Sequence, residues 1–447
     1  MKKFLIFISF LCLLSSLGTA QVEPYGLDSL IVTDLRFYAG ELYACTDSHG
    51  VFKRSSADTG WIPLGLEGKR IETVYPHQVG ALDFAITVGI KPSRPEGDST
   101  LVRCWYNQSW NITDTGMNHE DTWEIGSIDG IPTPAICGET FAAGSGKVYR
   151  KKTTVWEKVF EGAVVNVVRV SPNYEIWIGG ETMIFWPFLA KSTDIGDTWT
   201  MMYPNLAGDN ACNSIAFDPS DSNIVYAGME GVVIKTTDGG LSWNRTGLTG
   251  APFYMRGVAV DPLEPSHIYA GGIAVPDSFG LYESTDAGEN WQSIIPPTGT
   301  KGISSLVINP ANNHELFIAT YGSGVFLYES PVVYVRDNSV PAGNYSLHQN
   351  YPNPFNPTTK VSFVIGHLSF VTLKVYDVLG QEVATLVNEK REAGRYEVIF
   401  SAEGGSASGG DGSKLTSGVY FYRLQARPID GGQANDFIAT MKLIIVK

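Results

Sequence analysis

The 447-residue sequence predicts an all-β chain in two parts, on three observations. A stretch of about 45 residues holding four short β-rich runs recurs from Leu30 to about Ser330. Turn formers are abundant, with 48 glycines and 24 prolines. The last hundred or so residues then change to alternating runs behind a proline-rich lead. A period of about 40–50 residues with four strands per unit marks a β-propeller. The first part is therefore predicted as a seven-bladed propeller, alternatively six-bladed, and the second as a small Ig-like β-sandwich.

Composition excludes several classes. Charged residues make up only 17%, which disfavours a coiled coil or helical solenoid, and 12% aromatic content disfavours bulk disorder. Formal charge is −14, and −16 once Lys2 and Lys3 are set aside (30 basic against 46 acidic residues). No Lys/Arg run builds a basic face, so no nucleic-acid partner is expected.

Residues 1–20 read as an export signal. Two lysines precede an apolar run from Phe4 to about Leu14, and Gly18-Thr19-Ala20 forms a small-residue cleavage site before Gln21. The apolar run is too short for a membrane span, and no later stretch is apolar enough to be one. Export leaves Cys45, Cys104, Cys137 and Cys212 in an oxidising compartment, as disulfides or as buried thiols. There is no CxxC pair and no His cluster at metal-ligand spacing, so neither metal nor cofactor is expected.

The repeat is set by its tryptophans. Trp61, Trp110, Trp156, Trp199, Trp243 and Trp291 are spaced 49, 46, 43, 44 and 48 residues apart. In the fifth unit, strand a is expected at 214–217, b at 225–228, c at 232–236, and d near Trp243. The seventh unit has a, b and c but no Trp-bearing d strand. Its missing strand is expected from residues 21–28 or 332–335, because a ring must close or leave raw edges.

Three c–d turns share the octet S/T-x-D-x-G-x-x-W. Its fixed residues are Ser192, Asp194, Gly196 and Trp199; Thr236, Asp238, Gly240 and Trp243; and Ser284, Asp286, Gly288 and Trp291. The carboxylate can accept backbone N–H groups, and glycine permits positive φ. These octets resemble the Asp-box of bacterial neuraminidase (BNR) repeats, in three copies that fall in phase. The other units depart from it, as in "SSADTGW" at 55–61 and the shortened "YNQSW" and "TTVW". The resemblance covers 22–330 and implies a sialidase-like or photosystem-assembly-factor-like propeller as the domain 21–335, whose Asp-box carboxylates are structural and lie away from the ligand face.

A linker at 336–344 precedes the second module, 345–447. Three prolines in "NYPNPFNPTT" forbid a helix. Strands are expected at 360–365, 371–378, 382–386, 396–400, 419–425 and 441–446, with a mobile loop at 403–413. The carrying residues Asn350, Tyr351, Pro352, Asn353, Pro354, Phe355, Asn356 and Pro357, with "LKVYDVLGQEVATL", "SGVYFYRL" and the terminal "MKLIIVK", resemble the type A C-terminal sorting domain of type IX secretion. That resemblance implies recognition by an outer-membrane export machine and a location in the medium or at the outer surface.

The propeller's activity is less legible. A sialidase needs clustered arginines, an acid/base carboxylate and a Tyr/Glu pair. The family's arginine-bearing segment is absent, and Arg36 and Arg94 are poor substitutes. Xyloglucanase-type glycosidases resemble the repeat too, but those are paired propellers of greater length. The main expectation is a non-enzymatic module binding a glycan or a surface protein; the alternative is a glycoside hydrolase, sialidase- or xyloglucanase-like. With c–d turns on one side, b–c and d–a loops form the opposite face. Its candidate binding residues are Arg94, His119, Trp123, Phe185, Trp186 and Phe188. The apolar stretch 185–188 forms a sugar-stacking or protein-contact surface, or else folds back over a blade or covers Trp177. No catalytic residue is assigned.

Overall fold

The computed structural model describes residues 22–446 apart from 56–57, 59, 80–82, 93–98, 132–138, 183–185, 205–209, 249–253, 275–277, 331–344, 351–352, 356–357, 392–393, 403–414 and 430–435. The expected signal segment, the linker, Cys137, Arg94, Phe185 and the 403–413 loop therefore lie outside the described residues. No helix occurs among those described, and none is long and apolar enough to cross a membrane.

Between Val22 and Glu329 the described strands form seven four-stranded antiparallel sheets. Their inner strands are Val32–Tyr38, Arg70–Val79, Ser127–Gly130, Val164–Val170, Ser214–Phe217, Tyr254–Val260 and Ile303–Ile308. The fifth sheet continues through Val225–Gly228, Val233–Thr236 and Asn244–Arg245, matching the a-to-d reading of its unit. Each inner strand packs against the next, and the last against the first.

Closure comes from the N-terminal side. Val22–Gly26 pairs antiparallel with Val325–Glu329 and supplies the seventh sheet's missing outer strand. Ser304 Oγ donates to Val32 O (2.5 Å), and Ser305 Oγ to Asp34 Oδ1 (3.0 Å), joining last sheet to first.

The seven inner strands share one register. Asp34 faces Cys45, Thr73 faces Gly89, Ser127 faces Ala143, and Val167 faces Gly179. Ser214 and Gly257 face Gly228 and Gly271, and Ser305 faces Ala319. Small residues recur there because neighbouring sheets close in. A Cβ on Gly179 would meet Cys212 Sγ at 2.5 Å, and one on Gly89 would meet Ile125 O at 2.4 Å. Cys45 and Cys212 are buried thiols in this wall, and Cys104 is a buried thiol on the second sheet's third strand.

The tryptophans tie sheet to sheet. Trp61 Nε1 donates to Tyr25 O (2.9 Å), Trp110 to Leu64 O (2.7 Å), Trp156 to Thr113 O (2.6 Å), and Trp199 to Val159 O (3.0 Å). Each acceptor lies in or just beyond the preceding sheet's outer strand. The last two tryptophans depart from the pattern, and Trp291 bonds its own turn at Gly288 O (2.9 Å). Trp243 Nε1 is buried without a partner among the described residues, its ring edge-on to Trp177.

The C-terminal strands form a separate sandwich core. Thr358–Ile365, flanked by Ser346–Leu347 and Gly394–Ser401, makes one sheet. Glu382–Arg391, Ser369–Tyr376, Gly418–Pro428 and Phe437–Ile445 make the other, in that order. Strict alternation, as in Ser369–Tyr376, places Val371, Leu373 and Val375 in a core with Phe363, Phe400, Tyr422 and Leu443. The final strand starts at Phe437, four residues earlier than expected.

Candidate functional site

In antiparallel sheets of order a-b-c-d, the b–c and d–a loops share one end and the a–b and c–d turns the other. On the loop end, the 113–126 connection is a built structure. Leu101 N donates to Asp114 Oδ2 (2.9 Å), Trp123 N to Ser145 Oγ (3.0 Å), and Lys147 Nζ to Asp121 O (3.0 Å). Ser145, in a b–c turn, thus serves as a support. The Trp123 side chain is left 55% exposed. His119 Nδ1 lies 2.9 Å from Ser99 O, with Nε2 3.7 Å from Asp114 Oδ2, so it braces the same loop.

Trp186 is the other platform. Thr182 N donates to Trp186 O (2.7 Å) and Trp186 N donates to Thr182 Oγ1 (3.1 Å), pinching the loop while the indole stays 63% exposed. Phe188 does not belong to this face. It is fully buried, stacked on Phe160 at 6.0 Å, because strand alternation turns it into the core with Phe141 and Ile178. Nor does Phe188 cover Trp177, which packs on the sheet's other side with Leu189 and Ile215.

Carboxylates stand beside these indoles. Glu181 pairs in register with Pro187, next to Trp186. Burial raises its carboxyl above the usual range, and the nearby Glu230 charge adds to the effect. Asn210 Nδ2 holds Glu230 Oε2 at 2.9 Å. A second group rims the end of the inner strands: Arg70 Nε bonds Glu72 Oε1 (2.6 Å), and Lys91 Nζ bonds Glu124 Oε2 (2.5 Å). Burial also raises Glu72, with Glu124 adding to it against Arg70.

The opposite end carries the octets, whose carboxylates are consumed by their own turns. Asp194 Oδ1 accepts from Ser192 Oγ (2.8 Å) and Thr198 N (2.8 Å), and Oδ2 from Thr198 Oγ1 (2.6 Å). Asp238 repeats this with Thr236 and Ser242, and Asp286 with Ser284 and Asn290. The Ser/Thr hydroxyl also accepts the glycine N–H, at 2.7, 3.0 and 2.9 Å to Gly196, Gly240 and Gly288. Bonds from Thr198 and Ser192 hold Asp194 at a pKa of about 2, and Ser242 and Thr236 do the same for Asp238. Such groups stay ionised and cannot deliver protons near neutral pH.

Sequence reasoning missed a network at the sixth sheet. His267 lies between Asp261 Oδ2 (3.4 Å) and Glu283 Oε1 (2.8 Å). Tyr269, Tyr328 and Gln292 also donate to Glu283. Burial lowers the His267 pKa, but bonds to Asp261 and Glu283 outweigh it and raise it to about 9. Asp261, Glu264 and His267 have metal-ligand atoms within 4.8 Å of one another. Both imidazole nitrogens already face carboxylates, so the group reads as an ion-pair network.

In the sandwich, the "NPF" segment clasps the last strand. Ile444 N donates to Asn353 Oδ1 (2.8 Å), Phe355 N to Ile444 O (3.0 Å), and Val446 N to Phe355 O (3.0 Å). Buried Asn350 donates its N–H to Tyr422 Oη (2.8 Å), and Tyr422 Oη donates to His348 O (2.7 Å). Tyr351, Pro352, Asn356 and Pro357 lie outside the described residues.

Residues 349–430 match the family described as the secretion system C-terminal sorting domain. That domain directs the chain to the cell surface or extracellular space and implies interaction with the type IX secretion machinery. A xyloglucanase of Hypocrea jecorina is 30% identical over an alignment of 142 residues, covering 24% of this chain and 16% of that protein. Among solved structures, the GH74 enzyme of Niastella koreensis superposes with a TM-score of 0.54 at 14% identity, over 94% of this chain and 74% of that one. The GH74 xyloglucanase of Xanthomonas campestris gives 0.52 at 14%, over 94% and 68%. A chain in a mitotic checkpoint complex gives 0.51 at 12%, over 70% and 91%. At such identities the superpositions show the β-propeller fold alone.

Proposed function

We propose that the seven sheets are the blades of one closed ring spanning 21–335, and that its loop face acts on a polysaccharide of the xyloglucan type as an exported glycoside hydrolase. The observation that carries this is the 30% identity to a xyloglucanase. Glycoside hydrolysis takes two carboxyl groups, one kept protonated by its surroundings. Glu181, raised by burial and by Glu230, suits the acid; Glu230 suits the carboxylate partner; exposed Trp186 suits stacking on a sugar ring. The test is release of reducing ends from xyloglucan by the full chain. Glu181→Gln is expected to lower the rate by about 10²–10⁴-fold while leaving polysaccharide retention intact.

A second reading, a non-catalytic glycan-binding face, is favoured by Trp123 and Trp186 both standing more than half exposed. Retention without any release of reducing ends would select it. Neither retention nor turnover would reject both.

A further inference from the structure

The inner strands carry an unexplained charge arrangement two residues beyond the small-residue register. Sheets one to four place Arg36, Tyr75, Asp129 and Arg169 at that level; sheets five to seven place only Ala216, Ala259 and Val307. One side of the ring's centre is therefore polar and carries both signs of charge, and the other is short and apolar.

The Arg36 guanidinium is short of acceptors. Arg36 Nε and Nη2 are buried without a hydrogen-bond partner among the described residues, and Asp34 Oδ2 is 3.5 Å from Nε. Asp34 is already occupied: Oδ1 accepts from Leu35 N (2.9 Å) and Ser305 Oγ (3.0 Å), and Oδ2 from Thr73 Oγ1 (2.9 Å) and Val74 N (3.3 Å). Asp129 is likewise engaged by Gly130 N (3.0 Å) and Val170 N (2.9 Å). Arg169 Nη1 donates to Ser127 Oγ (3.0 Å) and Val168 O (2.8 Å). Burial, then the Arg36 charge, lowers the Arg169 pKa to about 10 against the opposing effect of Asp129 and Asp34, so the two cations feel each other. The Tyr75 hydroxyl stands at this level too, where a Cβ on Gly130 would meet it at 2.8 Å.

A buried, underpartnered guanidinium costs free energy that a matching anion recovers, because its planar fork fits two oxygens at once. We propose that the ring's centre holds a small oxyanion between Arg36 and Arg169, with the Tyr75 hydroxyl as a further donor and the Ala216/Ala259 side leaving it room. The shared chemistry is two or more oxygens carrying negative charge, as in a carboxylate, phosphate or sulfate.

The full chain is melted in rising acetate, phosphate or sulfate, each against sodium chloride of equal ionic strength. At least one anion is expected to raise Tm with saturation, as ligand binding to the folded state requires. Acetate alone would mark a carboxylate site; phosphate or sulfate would mark a tetrahedral one. Arg36→Gln and Arg169→Gln are each expected to weaken the apparent affinity at least tenfold, and exposed Lys158→Gln to leave it unchanged. Should Arg36→Gln not fold, Arg169→Gln and the selenate position by anomalous scattering decide the matter. No saturable shift beyond chloride, an unchanged shift in the arginine variants, or selenate only on the outer surface overturns the proposal.

Discussion

Arg150 Nη1 donates to the carbonyl of Ile195 at 2.6 Å, and so fastens the third sheet to the octet turn of the fourth. Lys191 Nζ repeats the contact to Gly239 O (3.1 Å), and Lys235 Nζ to Ala287 O (3.1 Å). All three cations hold one register position, opposite Phe141, Trp177 and Tyr226. Each reaches the left-handed residue after the octet's aspartate, at φ 62, 70 and 58°. The octets are thus sockets as well as turns. The sixth sheet precedes no octet, and there the position opposite Tyr269 is Glu283, which gathers His267 and Tyr328 instead.

Removing a socket's plug should loosen the ring. Arg150→Met is expected to lower stability by about 1.5–3 kcal/mol, the usual worth of hydrogen bonds to a charged group. Chemical denaturation reads this, and polysaccharide retention at the opposite end should not change.

Asp194 and Asp238 set an acid limit. Their folded pKa values of about 2 lie below the unfolded value of about 4, so they stabilise the fold above pH 4, and the gain disappears as pH falls towards 2. Asp238→Ala should lower Tm by a few degrees at pH 7, with the gap to the parent closing near pH 2. Loss of polysaccharide retention in a variant of unchanged Tm would contradict the structural role.

Ile195 holds φ 62° on a β-branched residue, where glycine carries little strain. Ile195→Gly is expected to raise stability by up to about 1 kcal/mol, checked by melting both proteins side by side.

His267 sets an alkaline limit. Its folded pKa of about 9 exceeds the unfolded 6.5, so its contribution is complete below pH 6.5 and disappears as pH rises through 9. His267→Gln should therefore lower Tm clearly at pH 6 and much less at pH 10. Parallel pH profiles of the two proteins would exclude the ion-pair reading.

In the sandwich, Tyr422→Phe removes the hydroxyl that serves both Asn350 N and His348 O. One buried and one part-buried backbone group lose a partner, which should cost about 1–3 kcal/mol for the buried Asn350 N–H and less for the His348 carbonyl. Deleting 441–447 should go further, by stripping the partners of Asn353 and Phe355 and opening the edge of Gly418–Pro428. Surface delivery in a host with type IX secretion should fall for both chains, most for the deletion.

Much of this architecture was legible because it is periodic. Tryptophan spacing placed the outer strands, and alternation in runs such as Val371-Thr372-Leu373 placed the sandwich faces. What stayed hidden depends on contacts between distant repeats. Phe188 looked like a loop residue beside Trp186, yet a strand begins at Pro187 and turns its ring inward. Arg36 and Arg169 are 133 positions apart in the numbering, and only the common register brings them to one level. His267 sits in a turn whose equivalents carry Ile224 and Glu175, so nothing marked it beforehand.

The most direct test of the account's central claim is affinity electrophoresis of the full chain in gels with and without xyloglucan, alongside Trp186→Ala and the Trp123→Ala/Trp186→Ala double variant. Retardation of the parent, weakened in the single variant and abolished in the double at unchanged Tm, is the predicted result. Equal mobility in both gels, or retardation untouched by losing both indoles, would contradict a carbohydrate-directed loop face.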